Sequence, residues 1–155
     1  MKILVISSNL IGDNILCTGV VDYFSKKYHN SKFTFVIGPT AYKIYEHFPN
    51  LDKIIIIKKK KYNLHWLQIF KKTISTKWDI IIDFRSSLIS YFLIKKKKYI
   101  FRKKNNLHHL NQLSNLFKFD CTKLKIYNDN QELDIANKTI SNKFKHVVIF
   151  PGGNW

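Results

Sequence analysis

The chain has 155 residues, of which 45% are hydrophobic and 24% charged, and its formal net charge at pH 7 is +17. This length and composition indicate one globular domain with part of a second, and they exclude a disordered chain and a scaffold that depends on disulfides. No apolar run approaches the roughly 20 residues of a membrane-spanning helix, and the two cysteines fit no zinc or disulfide pattern, so we expect a cytoplasmic protein with reduced thiols.

Short apolar runs alternate with helical patterns in the first half of the chain. Strands are predicted over 2–6, 33–37, 53–57 and 79–84. Helices are predicted between them over 13–28, 40–48 and 64–76. The first helix shows one apolar stripe at every fourth residue, and Thr40 is placed to cap the second. Strands that are apolar throughout and separated by helices are typical of a parallel sheet covered on both faces.

The second half continues the alternation and ends on an isolated strand. The predicted elements are a short helix from a Ser86 or Ser87 cap to residue 93, a short strand over 99–101, helices over 107–119 and 130–142, and a strand over 146–150. The lysine runs are expected at strand ends or in loops. Right-handed crossovers make the whole an α/β fold, a Rossmann-like doubly wound parallel sheet. We expect that domain over 1–128, an interdomain helix or linker over 129–145, and the first strand and turn of a truncated second domain over 146–155.

Two polar loops follow the first and fourth predicted strands, where ligands bind in open parallel sheets. The first carries Asp13, which reads either as a functional carboxylate or as a helix N-cap. The second carries Arg85, and two interpretations stay open for it. Its guanidinium can pair with a carboxylate or phosphate, or it is a surface arginine beside a serine cap. The pair His108 and His109 is interpreted as part of a helix rather than as metal ligands, and no metal site is predicted.

Taken in order, these segments resemble glycosyltransferase family 9, the ADP-heptose:lipopolysaccharide heptosyltransferases and their relatives. The resemblance rests on KILVI (2–6), IGDNILCT (11–18), FVIGP (35–39), HFPNLDKI (47–54), WDIIID (78–83) with RSS (85–87), HHLNQL (108–113) and VVIFPGG (147–153). The chain departs from the family at Ser7, where Arg or Lys is common, and at Gly19, where Pro is frequent. Both departures leave the acceptor preference open.

The resemblance implies the N-terminal, acceptor-binding half of a two-domain GT-B enzyme with its active site between the domains. It implies Asp13 as general base in an inverting transfer of heptose or a related sugar, from an ADP-heptose-like nucleotide sugar to a lipopolysaccharide core or other lipid-linked acceptor, with no cofactor. The acceptor-binding residues it implies are Ser8, Asn9, Gly12, Asn14, Arg85 and Ser86. Gly152 and Gly153 would be a vestige of the donor phosphate site. The chain alone is expected to be inactive, with a separate donor-domain polypeptide as its partner.

The positive charge is concentrated in residues 51–104, whose net charge is +13. One interpretation is attraction to an anionic surface at the inner face of the cytoplasmic membrane; another is a coding bias, because 25 of the 27 basic residues are lysines. The alternative function is a small basic Rossmann-like binding module, for another ligand or for non-specific nucleic acid, without catalysis. The lysine runs lack regularly interleaved aromatic residues, so we expect no specific nucleic-acid recognition.

Overall fold

The computed structural model describes residues 1–58, 65–104 and 106–140, which form a parallel sheet between two helical layers. The strands are β1 (Lys2–Ile6), β2 (Lys32–Ile37), β3 (Leu51–Ile56), β4 (Trp78–Asp83) and β5 (Lys95–Ile100). The helices are α1 (Ile11–Lys27), α2 (Tyr42–Tyr45), α3 (His65–Thr73), α4 (Ile89–Phe92), α5 (His109–Phe117) and α6 (Asn130–Thr139), with a 3-10 turn over Pro39–Ala41 before α2. The strand order β3-β2-β1-β4-β5, parallel throughout, confirms the predicted Rossmann-like sheet.

Alternate residues of the central strand, β1, pack into two separate hydrophobic cores, one on each face of the sheet. Ile3 and Val5 of β1 pack with residues of α1, α2 and α5 on one face of the sheet. Leu4 and Ile6 pack with residues of α3 and α4 on the other face. Because successive side chains of a strand point to opposite faces, a strand covered on both sides is apolar at most positions. The strands of the sheet interior could therefore be recognised as short, mainly apolar runs.

The fifth strand was predicted incompletely. It covers Lys95–Ile100 rather than 99–101, so the lysine run expected at a strand end or in a loop forms the first four residues of the strand. Lysine has a low strand propensity, and its position here is set by the edge of the sheet. The strand lies at the edge of the sheet, where its lysines reach solvent and Lys96 pairs with Asp79 at 2.7 Å. Charged side chains along an exposed edge also discourage pairing with another chain.

Two predicted helix caps are wrong. Thr40 lies within the 3-10 turn and donates its hydroxyl to the carbonyl of Asn9, so it caps no helix. Leu88 precedes α4 without a side-chain cap bond, while Ser87 donates its hydroxyl to Asp83 at 2.6 Å. The other predicted ends differ by up to three residues from the observed ones. The predicted strand over 146–150 and the glycine turn after it lie outside the described residues.

An extended segment over 120–128, here called the strap, crosses α1 on the side away from the sheet. The backbones are so close that a Cβ on Gly19 would lie 2.7 Å from the carbonyl oxygen of Cys121 and 2.9 Å from that of Lys123. The hydroxyl of Tyr127 donates to the carboxylate of Asp22, and burial, followed by this contact, raises the pKa of Tyr127 to about 12. The single apolar stripe predicted for α1 is therefore incomplete, because the helix is buried on two sides.

Candidate functional site

The chain reverses direction across the sheet between β1 and β4, and this reversal creates a crevice at the carboxyl edge. From β1 the chain passes to α1 on one face, and from β4 it passes to α4 on the other. The loops over 7–10 and 84–88 therefore leave the same edge in opposite directions. Ligands of doubly wound sheets bind at such a reversal. Asp13 and all six predicted acceptor-binding residues lie on these two loops or in the first turn of α1.

The side chain of Asn14 fixes the first loop, residues 7–10, by hydrogen bonds to its backbone. It is fully buried, and its Nδ2 donates to the carbonyls of Ser8 at 2.9 Å and Leu10 at 2.6 Å. The hydroxyl of Tyr45 donates to the Asn14 backbone carbonyl at 3.2 Å. Oδ1 of Asn14 is also buried and has no hydrogen-bond partner among the described residues. This geometry gives Asn14 a role in shaping the loop, and its contact with an acceptor stays a prediction.

The first loop also rests on the turn that follows β2. A Cβ on Gly38 would lie 2.6 Å from both Cα and Oδ1 of Asn9, so only glycine allows this approach. The amide of Gly38 donates to the carbonyl of Ser8 at 3.4 Å, and Thr40 donates its hydroxyl to the Asn9 carbonyl. These contacts fix the path of the backbone at Ser8 and Asn9, two of the six residues predicted to bind the acceptor. Gly38 thus supports the candidate site without belonging to it.

Asp13 lies in the first turn of α1 and is partly exposed. The helix begins at Ile11 after Leu10, which makes no side-chain cap bond, so the interpretation of Asp13 as the N-cap is wrong. The helix dipole stabilises a carboxylate in the first turn. Beside it Gly12 is exposed, and a Cβ there would have nothing within 4 Å. The carboxylate therefore has an open surface next to it, on which a substrate can lie.

The charge of Asp13 acts on two titratable groups, the buried Cys17 and the partly exposed His109. Burial raises the pKa of the Cys17 thiol well above its ordinary value, and the carboxylate of Asp13 adds to this rise. Cys17 is therefore a neutral thiol in the core and not a nucleophile. Burial lowers the pKa of His109, with Lys103 and His108 adding to the decrease and Asp13 opposing it.

His109 opens α5 and was not predicted as a site residue. Its ring packs against Phe101 with centroids 4.9 Å apart, and its Nε2 is buried without a hydrogen-bond partner among the described residues. The prediction that the histidine pair belongs to a helix is confirmed for His109, while His108 is the residue before the helix. No local signal in the sequence could reveal the approach to Asp13, because it depends on α5 packing beside α1.

The second loop is fixed by Asp83, which is fully buried. Its Oδ1 accepts from the amide of Arg85 at 2.8 Å, and its Oδ2 accepts from the amide of Ser87 at 2.7 Å and from the Ser87 hydroxyl at 2.6 Å. Between them Ser86 has a φ of 53° and donates its hydroxyl to the carbonyl of Phe101 at 2.7 Å. The loop is thus held in a left-handed turn that presents Arg85 at the surface.

The Arg85 guanidinium lies over an aromatic ring. Its central carbon is 5.3 Å from the centre of the Trp66 ring, on the first turn of α3. Trp66, Arg85 and residues 86–89 line a cavity of about 290 Å³. Stacking restricts the guanidinium while leaving its N–H groups available to an anion. Trp66 was missed by the sequence analysis, because the pattern placed it only on an amphipathic helix.

The predicted residues therefore form two groups at one edge of the sheet. Ser8, Asn9, Gly12, Asp13 and Asn14 lie together around the start of α1. Arg85 and Ser86 lie together on the loop after β4, beside the cavity under Trp66. Gly152 and Gly153, the predicted donor-phosphate residues, lie outside the described residues.

The described ranges contain neither a metal-binding cluster nor a membrane-spanning helix. Residues 1–58, 65–104 and 106–140 contain no cluster of three His, Cys, Asp or Glu side chains that could hold a metal ion. In those same ranges, no helix has both the length and the apolar character needed to cross a membrane.

Solved structures of family 9 glycosyltransferases share this fold. The structure matches the glycosyl transferase family 9 from Veillonella parvula DSM 2008 with a TM-score of 0.64 and 18% identity, over 99% of this chain and 56% of that chain. It matches E. coli heptosyltransferase WaaC with ADP (TM-score 0.59, 12% identity, 83% of this chain and 50% of that chain). The same enzyme with ADP-2-deoxy-2-fluoro heptose matches with a TM-score of 0.55 and 11% identity, over 81% of this chain and 51% of that chain.

These matches confirm the resemblance to family 9 at the level of the fold. The chain spans about half the length of each of these structures. No family model matches the chain, and no curated protein matches it.

Proposed function

We propose that the described domain is the acceptor-binding part of a family 9 type glycosyltransferase. In this proposal the crevice between β1 and β4 binds a sugar hydroxyl of a lipopolysaccharide core or other lipid-linked acceptor. A nucleotide-activated heptose or a related sugar, such as ADP-heptose, is the donor. The observation that supports it most is the place of Asp13, an open carboxylate in the first turn of α1 at the reversal of a fold shared with glycosyltransferases.

Asp13 is the proposed general base. The acceptor hydroxyl attacks the anomeric carbon from the face opposite the nucleotide diphosphate, so the new C–O bond has inverted configuration. As the new C–O bond forms, the bond from the anomeric carbon to the nucleotide diphosphate breaks, and the diphosphate leaves with that electron pair. The acceptor O–H bond then breaks, and its proton passes to the Asp13 carboxylate. Because the helix dipole stabilises the charged carboxylate, the proton is transferred late, when the hydroxyl oxygen has become acidic through bonding to the anomeric carbon. Before that step the carboxylate orients the hydroxyl by accepting its hydrogen bond.

The other predicted residues would bind the acceptor around this carboxylate. Arg85 has an exposed guanidinium that can pair with an anionic group of the acceptor. Ser86 donates its hydroxyl proton to Phe101, so it can only accept a hydrogen bond from the acceptor. Ser8 and Asn9 are partly exposed and held in place by the turn after β2. Gly12 leaves room for the sugar ring, because it has no side chain.

The donor half is supplied by residues beyond the described domain or by a separate donor-domain polypeptide. In the proposal the donor phosphates meet the backbone amides of Gly152 and Gly153 at the start of that half. The transfer takes place in the cytoplasm, at the inner face of the cytoplasmic membrane, where a lipid-linked acceptor and a nucleotide sugar can meet. The proposed reaction requires no metal and no further cofactor.

The proposal is tested by separating acceptor binding from transfer. Acceptor binding is measured by titrating the chain with lipopolysaccharide core that lacks heptose, and transfer from ADP-heptose is measured on the protein purified from its own cells with its partners. Asp13→Asn should leave the acceptor affinity within about twofold and decrease the transfer rate by about 10²–10⁴-fold. Arg85→Ala should weaken acceptor binding. The matched control is Asp134→Asn, an exposed carboxylate on α6.

A wild-type chain that does not bind heptose-free core would contradict the assignment of the acceptor. Equal transfer rates for the Asp13→Asn and Asp134→Asn variants would contradict the role of Asp13 as the base.

A further inference from the structure

Four large apolar side chains are exposed within seven residues, next to the second loop of the candidate site. Leu88 is 75% exposed, Phe92 71%, Ile94 57% and Tyr91 41%. They lie just before, in and just after α4, and we call them the α4 surface. Among the described residues 16 large apolar side chains are exposed, and four of them fall within these seven residues, so this concentration needs an explanation.

The surroundings of the α4 surface are strongly basic. Residues 84–104 contain eight Lys and Arg residues and neither Asp nor Glu. The Arg102 guanidinium donates to the Tyr91 hydroxyl at 3.0 Å, and the Lys98 amine lies 4.0 Å from the centre of the Tyr91 ring. An apolar centre is therefore joined directly to cationic side chains. In this stretch the positive charge is placed around a feature that exposes hydrocarbon, which a coding bias alone does not require.

Part of the α4 surface lines an open groove that adjoins the candidate site. Leu88, Tyr91, Phe92 and Arg102 line a cavity of about 570 Å³ together with Ser86. Ser86 also lines the cavity under Trp66. A ligand on the α4 surface would therefore lie beside the loop that presents Arg85.

We propose that the α4 surface binds the anionic leaflet of a phospholipid bilayer. Leu88, Phe92 and Ile94 enter the boundary between headgroups and acyl chains, Tyr91 lies at headgroup level, and Lys98, Arg102 and the lysines at 103 and 104 contact lipid phosphates. This combination of exposed hydrocarbon, an interfacial aromatic ring and clustered cations is complementary to an anionic membrane surface. The inference deepens the proposed location at the membrane by naming the residues that bind there.

The chemistry favours lipid over nucleic acid. A nucleic acid would pair with the cations and stack its bases on flat rings, but Leu88 and Ile94 are aliphatic and offer no stacking face. Most of the cations are lysines, which neutralise phosphate charge without reading bases. A protein partner would need an acidic surface to match these clustered cations, of which Lys96 is already paired with Asp79, whereas an anionic leaflet supplies negative charge along its whole surface.

The test is co-sedimentation with vesicles that contain no sugar acceptor, so its result does not depend on the transfer reaction. Vesicles of phosphatidylcholine mixed with phosphatidylglycerol are compared with vesicles of phosphatidylcholine alone. Lys103→Gln with Lys104→Gln should weaken binding to the anionic vesicles roughly thirtyfold. The matched control is Lys71→Gln with Lys72→Gln on α3, which changes the net charge equally and should have a much smaller effect.

The apolar half of the proposal has its own variants. Leu88→Ser with Phe92→Ser should weaken binding by about tenfold or more, because buried apolar area contributes to interfacial binding. Leu67→Ser with Ile135→Ser removes two exposed apolar side chains elsewhere and should leave binding unchanged. All four substituted side chains are exposed, so the variants should fold like the wild type.

Insertion is measured directly with an environment-sensitive fluorophore on Phe92→Cys. The native Cys17 and Cys121 are buried and stay unlabelled. The fluorophore should shift to shorter wavelength with anionic vesicles, and one on Leu67→Cys should not.

Equal loss of binding for the two lysine pairs would overturn the proposal in favour of net charge alone. Equal binding to both kinds of vesicle would also overturn it. Displacement from anionic vesicles by one RNA sequence but not by another would assign the surface to nucleic acid instead.

Discussion

Replacing Gly38 with alanine should destabilise the domain, because the new Cβ has no space. It would lie 2.6 Å from Cα of Asn9, a backbone atom, whereas ordinary contacts begin near 3.4 Å. The loop after β1 must therefore move by roughly 0.8 Å, the difference between these two distances. That movement also disturbs the hydrogen bond from Thr40 to the carbonyl of Asn9.

The expected loss in the free energy of unfolding is about 2 kcal/mol. Overpacking a tight contact costs about 1–3 kcal/mol, and a weakened hydrogen bond adds about 1 kcal/mol. Alanine also lowers the conformational entropy of the unfolded chain, which stabilises the fold by about 0.4–1 kcal/mol and offsets part of this loss. A domain of this size is stable by about 5–15 kcal/mol, so the variant should still fold but should unfold at a clearly lower denaturant concentration.

The matched control is Gly12→Ala, in the same part of the fold. A Cβ on Gly12 meets nothing within 4 Å, and the residue lies in the first turn of α1, where alanine is favoured over glycine by up to about 1 kcal/mol. Both substitutions restrict the unfolded chain alike, so their difference isolates the contact with Asn9. Urea unfolding followed by circular dichroism gives both free energies, and the slope with denaturant should not change.

Equal stability of the Gly38→Ala and Gly12→Ala variants would refute the reasoning, since it would show that the loop moves aside at no cost. A Gly38→Ala variant that is as stable as wild type but binds acceptor more weakly would show that the contact positions the loop without stabilising the fold.

Two further predictions concern ionisable groups, the buried Asp83 and the partly exposed His109. Asp83→Asn should decrease the free energy of unfolding by about 2 kcal/mol in the same urea assay. One carboxylate oxygen of Asp83 accepts from the amide of Arg85, and the other accepts from the amide and hydroxyl of Ser87. The amide nitrogen of asparagine replaces one of these oxygens and cannot accept a hydrogen bond, so at least one donor loses its partner. Burial lowers the pKa of His109 in the folded chain, so the unfolded chain binds a proton first as the pH falls below about 6.5. The free energy of unfolding should therefore decrease as the pH falls from about 6.5, until His109 is also protonated in the folded chain. His109→Gln should flatten this part of the plot of stability against pH. An unchanged plot for that variant would show that His109 is not the responsible group.

The sheet could be predicted because its physical requirement is local. A strand buried on both faces is apolar at nearly every position, as β1 is after Lys2 and as β2 is after Lys32 except at Thr34, and that pattern is visible without a structure. The edge strand β5 was predicted only in part, over 99–101, because its four lysines interrupt the apolar pattern, and at the edge of the sheet they reach water. The burial pattern of a strand depends on its neighbours, which a single sequence does not show.

The candidate site was predictable where its residues follow strands directly. Asp13 and Arg85 could be placed at one edge, because the carboxyl ends of parallel strands lie together. His109 and Trp66 could not, since each reaches the edge through the packing of a whole helix. The roles of Gly38 and Gly19 also depend on distant backbone approaching them, and nothing beside these glycines in the sequence indicates it.

The first helix, α1, is fully enclosed only after the strap, about a hundred residues later in the chain, has packed against it. The chain is synthesised from α1 toward residues 120–128, so the outer side of α1, including Gly19, stays in water until the strap has left the ribosome. The hydroxyl of Tyr127 reaches Asp22 across 105 residues of sequence. The early sheet can therefore form during synthesis, while its first helix, which carries Asp13, is enclosed only when nearly the whole domain is free. Cleavage within 120–128 would reopen the same side of α1 in a finished molecule.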